Sequence, residues 1–209
     1  MGTGRLEAFS DGVFAVAITL LVLDIRPPAE ADTSSDLWHA LGHLWPHYAA
    51  YAVSFLIIGI VWVNHHTVMN VIDRVDRQLT FLNLLLLMAV ALIPFATALL
   101  ADYLTHADAE HAAAAAYSMV ITLMGVAFGA LWIYAARAGL LVDHFPRDQL
   151  AGVTLRFVIG TPIYMVAIGV AFVSAVVCLA LHALLAVYYA LARSSGGLAM
   201  AHSRRGADP

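Results

Sequence analysis

The sequence predicts an all-α polytopic membrane protein with six transmembrane helices and both termini in the cytoplasm. Three observations predict it. Of the 209 residues, 62% are apolar and only 11% are charged, against about 25% charged in a typical soluble domain. Apolar stretches close to the roughly 20 residues that cross about 30 Å of hydrocarbon recur along the chain. The arginines gather in alternate connections, as the positive-inside rule requires.

The first span, Leu6 to Ile25, carries Glu7, Asp11 and Asp24 around a clean apolar core from Gly12 to Leu23. The second runs from about Tyr48 to Asn64 and continues through His65 and His66. The third, Leu79 to Leu100, is almost wholly apolar, with Asn83 near its start and Pro94 near its end; the fourth covers about Ala112 to Ala136. From Phe157 to Ala192 there is no Asp, Glu, Lys or Arg. At a rise of about 1.5 Å per residue that run is too long for one crossing and suits a hairpin of two helices, breaking near Ser174. Residues 1–193 thus read as one six-helix domain. Ser194 to Pro209, rich in Gly, Ser and Arg without apolar periodicity, reads as a disordered cytoplasmic tail.

Orientation follows from charge. Arg74 and Arg77 lie between the second and third spans, Arg137, Arg147 and Arg156 around the connection from the fourth to the fifth, and Arg5, Arg193, Arg204 and Arg205 near the ends. The alternate loops are acidic: Arg26 stands against Glu30, Asp32 and Asp36, and the 102–111 loop holds Asp102, Asp108 and Glu110. A signal peptide fits poorly, because Glu7 and Asp11 interrupt its basic and apolar regions and no small-residue cleavage site follows.

Composition also excludes chemistries. All ten basic residues are arginine, which removes the phosphate-binding lysine of a Walker A loop and any lysine Schiff base. Cys178 is the single cysteine, so neither an intrachain disulfide nor a cysteine metal cluster can form. A net charge of -4 without a basic block argues against nucleic acid as a partner. No paired acid, base or nucleophile stands at membrane depth, so no enzyme activity and no cofactor are expected.

The informative residues are polar ones inside the first three spans. An ionised carboxylate within a membrane helix is costly unless it faces protein, water or a hydrogen-bond partner. Asp11 lies about 9 Å along a helix from Arg5, and Ser10, Trp62, Asn64, His65, His66 and Asn83 occupy the same depth near the cytoplasmic side. Imidazole and amide groups can donate to a carboxylate. A metal site there is disfavoured, since adjacent histidines leave a helix on different sides and no partner follows them at i+4. Gly12, Val16, Thr19 and Leu23, spaced 4, 3 and 4, share one helical stripe, which suits either helix packing or a pore wall. Leu21 falls off that stripe and is expected to face lipid. No stretch resembles the TVGYG filter loop, so any ion selectivity could not come from that carbonyl arrangement.

Arg5, then Phe9-Ser10-Asp11 in the setting RLEAFSDGVFAVAITLLVLDI, resembles the first-helix signature of the transmembrane protein 175 family, the endolysosomal potassium channel and its prokaryotic relatives. The resemblance extends to Trp62, His65 and His66 in the second span, Asn83 in the third, and six spans over residues 5–193. It implies a homotetramer in a bacterial plasma membrane, conducting potassium passively through a pore lined by the first helix. It also implies that Phe9, Ser10 and Asp11 are held by polar partners on neighbouring helices. By offset from Asp11 the constriction falls at Val16, Leu23 and a middle layer at Thr19 or Leu20. Two departures stand out: Val16 is smaller than the expected Ile or Leu, and Val173-Ser174-Ala175 lacks a proline after the serine. Selectivity at an apolar constriction would come from partly stripping water from the ion, which favours larger, weakly hydrated cations. The other reading of the polar set is a secondary transporter or proton-coupled carrier, with Asp11 and His65 or His66 as a relay. No pair of Gly/Pro-broken spans supports that reading.

Overall fold

A computed structural model describes residues 3–28, 32–143, 145, 150–158 and 160–205, the last of these as backbone only beyond Leu191. Among the described residues the chain is helical, with a single isolated bridge between Ile72 and Leu141 in place of any sheet. The elements are α1 (Thr3–Leu20), which tightens into a 3-10 turn at Leu21–Asp24, α2 (Ser34–His43), α3 (Trp45–Met69), α4 (Arg77–Tyr103), α5 (Ala109–Arg137), α6 (Leu150–Val158), α7 (Gly160–Ala171) and α8 (Ala175–Arg205).

Five runs are long and apolar enough to cross a membrane: Thr3–Asp24, Trp45–Met69, Arg77–Tyr103, Ala109–Arg137 and Leu150–Ala171. Ala175–Leu191 is a shorter apolar helix. The break foreseen near Ser174 is present, where the Ser174 N–H donates to the Val170 carbonyl and α8 starts at the next residue. The fifth run begins earlier than the sequence suggested, so Arg156 lies within α6 and not in the preceding connection. The helix drawn at the C-terminal end continues to Arg205, through most of the segment read as an irregular tail. Arg147 and Glu30 lie outside the described residues.

The connection 26–45, read as a loop, contains α2. Thr33 caps it, its hydroxyl accepting from the Asp36 N–H at 3.1 Å. The Thr-x-x-Asp pattern behind this cap is visible in the sequence, and the Thr33 hydroxyl donates in turn to the Asp36 carboxylate at 2.7 Å. The helix was overlooked because no residue of α2 is buried, so no apolar face announces it.

Packing centres on α4 and α5, which run together along most of their length, with α1 laid across α3 and α4 and the α7–α8 hairpin set against α5 and α3. Close approach of α5 and α7 depends on Gly125, where a Cβ would meet the Thr161 hydroxyl at 3.1 Å. Fully buried Leu86, Ile93, Tyr117, Ile121, Leu131 and Trp132 fill the interior. A polar layer crosses this core: the Thr97 hydroxyl donates to Ser54 Oγ at 2.7 Å, and Ser54 Oγ lies 3.0 Å from the Tyr117 hydroxyl.

On the arginine-bearing side, a strap ties two connections together. Asp73 N–H donates to the Leu140 carbonyl at 2.9 Å and Val142 N–H to the Val71 carbonyl at 3.0 Å. Gly139, at φ 66°, takes the left-handed conformation that ends α5, and the Leu140 N–H closes back on the Ala135 carbonyl at 3.1 Å. Asp76 caps α4, accepting from the Leu79 N–H at 2.7 Å and from the Tyr134 hydroxyl at 2.5 Å. The Leu79 N–H first, and the Tyr134 hydroxyl second, hold the Asp76 carboxyl below the usual carboxylate range. A depressed folded-state value contributes stability that is complete above the unfolded value of about 3.9 and disappears as pH falls through the folded one. Asp76→Ala should therefore melt lower than wild type at neutral pH. The gap between the two melting temperatures should close as pH drops below that value, and a gap of constant size across the acid range would refute this account of the cap.

Candidate pore-lining helix and its polar anchor

Helix α1 has two unlike faces. Leu6, Ser10, Phe14, Ala17 and Leu21 are buried against α3 and α4. Val16, Leu20 and Leu23 are 57%, 43% and 67% exposed within the single chain, and Thr19 and Gly12 are exposed beside them. Leu21, expected to face lipid, is fully buried. The physical reason is helical phase: Leu21 follows Leu6, Ser10, Phe14 and Ala17 at spacings of 4, 4, 3 and 4, on the face opposite Gly12, Val16, Thr19 and Leu23, and that opposite face packs on α3 and α4 where lipid was expected. Val22 and Leu23 both emerge on the uncovered side, and Leu21 turns inward.

The Thr19 hydroxyl donates back to its own helix, 2.9 Å from both the Ala15 and the Val16 carbonyls. Its methyl group, and not a free hydroxyl, is what this rotamer leaves available. An apolar groove of about 510 Å³ runs along the exposed side, lined among others by Phe9, Gly12, Val16 and Leu20 of α1 and Ala91 of α4.

Polar contacts at the start of α1 fix which face is which. The Asn83 amide nitrogen donates to Ser10 Oγ at 2.9 Å, and the Ser10 hydroxyl donates onward to the Leu6 carbonyl at 2.8 Å. The Asn83 carbonyl oxygen then serves His65, whose Nε2 lies 2.8 Å away and must be the protonated nitrogen of a neutral ring. Ser10, His65 and Asn83 are all completely buried, and the His65 ring packs against Phe14 with centroids 5.4 Å apart. A three-helix chain, α1 to α4 to α3, results.

The sequence placed these residues at one depth and left open which histidine meets Asp11. Neither does. Asp11 accepts from the Trp62 indole N–H at 2.9 Å on the exposed side of the helix, and His66 pairs instead with Glu7 at 2.8 Å. Glu7 was not among the residues expected to join the network, and its His66 pairing had no signal beyond shared depth. Asn64 has no part in this network among the described residues. Arg5 and Phe9 are exposed, and Arg5 makes no ion pair among the described residues. With Asp11 and His65 bonded to different partners, the proton-relay alternative loses the contact on which it rested. Groups of three or more potential metal ligands are also absent among the described residues.

A family model described as the endosomal/lysosomal potassium channel TMEM175 matches residues 5–94, the stretch holding α1, the α3 histidines and Asn83. A potassium channel of Streptomyces collinus is 56% identical over 188 residues, covering 90% of this chain and 91% of that protein. The chain belongs to the TMEM175 family. A potassium channel of Chamaesiphon minutus is 41% identical over 90% of this chain and 94% of its own length. The crystal structure of a lysosomal potassium-selective channel TMEM175 homolog from the same organism superposes with a TM-score of 0.82 at 39% identity, over 90% of this chain and 96% of that one. TMEM175 is a family of channels, which is not an enzyme class, and the multi-pass helical fold agrees with it.

Within that family frame the anchor divides into strong and weak parts. Asp11→Ala removes one bond at a half-exposed site and leaves the Trp62 indole, itself 43% exposed, free to find another acceptor. We expect a loss of about 1 kcal/mol or less, read as a small drop in the melting temperature of the detergent-solubilised protein.

Proposed function

We propose that this chain is one subunit of a homotetrameric, potassium-preferring cation channel in a bacterial plasma membrane, conducting passively through a pore lined by α1. The observation that carries this reading is the division of α1. Its inner face is locked to α3 and α4 by Ser10, Asn83 and His65, so the uncovered face of Val16, Thr19, Leu20 and Leu23 is presented in a fixed orientation, in a chain similar to potassium channels along nearly its whole length. Four copies around an axis would set these apolar side chains in rings that exclude a fully hydrated ion and dewet when closed. Potassium ions are the permeant partner and lipid the surrounding solvent. No cofactor or nucleic acid enters this reading.

The reading includes six spans with both termini cytoplasmic, Ala175–Leu191 supplying the last crossing, residues 1–193 forming the membrane domain and 194–209 a cytoplasmic extension. Purified protein in planar bilayers under asymmetric potassium and sodium tests the activity. A reversal potential displaced toward the potassium equilibrium value is expected; a saturating flux that requires a second, coupled ion would instead identify a carrier. Topology has its own test in single cysteines on a Cys178→Ser background. Those placed at 32–44 and 103–110 should react with an impermeant maleimide added outside intact cells, and those at 73–77 and 143–149 should not. External labelling at 143–149 would sink the six-span arrangement.

A further inference from the structure

We propose that α2 carries a binding site for a borderline divalent transition metal ion such as Zn²⁺, Ni²⁺ or Cu²⁺, formed by the imidazoles of His39 and His43. The two lie four residues apart on one helix, a spacing that places side chains on the same face about 5 to 6 Å apart at Cβ. Their ring centroids are 4.8 Å apart, edge to face at an interplanar angle of 80°, so the two imidazoles stand together on one side of the helix. Both rings are exposed, and neither takes part in a hydrogen bond or ion pair among the described residues. This separates them from the other helical histidines whose side chains are described: His47 holds Asp102, His65 holds Asn83, His66 holds Glu7, His111 meets the Ala171 carbonyl and His182 the Cys178 carbonyl. Imidazole suits zinc, copper and nickel, whereas calcium and magnesium prefer oxygen. No third His, Cys, Asp or Glu among the described residues completes the set, so water fills the remaining positions and the site takes up ions reversibly.

Occupancy has a mechanical meaning because of where α2 sits. It buries none of its residues, is fixed chiefly by the Thr33 cap and a light contact with α3, and follows the end of the 3-10 turn by the short connection 25–33. A metal bridging successive turns of a helix that packing barely holds converts it from a marginal helix into a clipped one.

Zinc chloride titrated calorimetrically into the untagged, detergent-solubilised full chain tests the site, with hydrogen exchange of 34–43 measured alongside. Wild type should bind Zn²⁺ and show slowed exchange across α2. His39→Ala and His43→Ala should each weaken binding by about tenfold or more, since even outer-shell changes cost 10- to 100-fold, and should abolish the slowing. His106→Ala, a change at an exposed histidine outside α2, should do neither. Undiminished binding in the His39→Ala/His43→Ala double variant, or unslowed α2 exchange in Zn²⁺-loaded wild type, overturns the proposal. Both substitutions are at exposed positions, so a folding defect does not confuse the result.

Discussion

Asn83→Ala should be the most destabilising single substitution in the polar anchor. Asn83 is the only member with two interhelical bonds, donating to Ser10 and accepting from His65. Its removal affects the two partners unequally. Ser10 keeps its bond to the Leu6 carbonyl, whereas the His65 Nε2–H, at zero exposure, loses its acceptor; Nδ1 of the same ring has no partner either. A buried donor left unsatisfied costs about 1 to 3 kcal/mol. Interhelical hydrogen bonds measured in a membrane protein average about 0.6 and reach about 1.7 kcal/mol. A loss of about 2 kcal/mol is therefore expected, at least twice that of Asp11→Ala, seen as a lower melting temperature and less assembled protein on size exclusion. The mechanism predicts a rescue: His65→Leu added to Asn83→Leu removes donor and acceptor together and should recover part of the loss, because exchanging both partners for apolar groups is close to neutral. If Asn83→Ala melts with wild type, the anchor does not hold α1.

The second large effect concerns Leu23→Ala. Leu23 is more exposed than Val16 or Leu20 and lies on the 3-10 turn at the end of the helix, next to Asp24. Shortening it to a methyl group in four copies would widen an apolar ring at the point where an ion must shed water. A tenfold preference for one ion corresponds to about 1.4 kcal/mol, a margin small enough for one lost ring to erase. The permeability ratio of potassium to sodium should fall toward parity while folding is unaffected, since Leu23 contributes little to the core. Val16→Ala and Leu20→Ala should shift the ratio less, and Thr19→Ala least, because its hydroxyl is already spent on its own helix. The outward control is Leu184→Ala on α8, 69% exposed; Leu21, buried, would confuse folding with permeation. Unchanged reversal potentials across the series would remove α1 from the pore.

The segments of this fold were legible because lipid imposes a length and a polarity on every crossing. Ser174 marks the hairpin break, and Asn83, His65 and Ser10 were recognisable as polar groups that must be satisfied. Their pairing was not legible, because depth along a helix says nothing of rotation about its neighbours; His65 and Asp11 share a level yet face different surroundings. Leu21 was misplaced because the sequence does not say whether the face opposite the Val16–Leu23 stripe meets lipid or protein; Phe14, Ala17 and Leu21 share that face and pack on the neighbouring helices. Helix α2 escaped notice for the opposite reason, being held by a cap and not by an apolar face, and the early start of α6 reflects an arginine tolerated inside an otherwise apolar run.

Among the described residues, the side-chain hydrogen bonds and ion pairs that join α1 to another helix arise from Glu7, Ser10 and Asp11. Beyond them Phe14, Ala17 and Leu21 hold by packing alone. Mechanically, α1 is a cantilever clamped at one end, with Leu23 about 20 Å from the clamp at Ser10. Because deflection grows with distance from a fixed end, a tilt of about 5° displaces the tip by about 1.7 Å and Val16 by about 0.8 Å. In the proposed channel, small forces on the far end would therefore be felt at Leu23 before Val16.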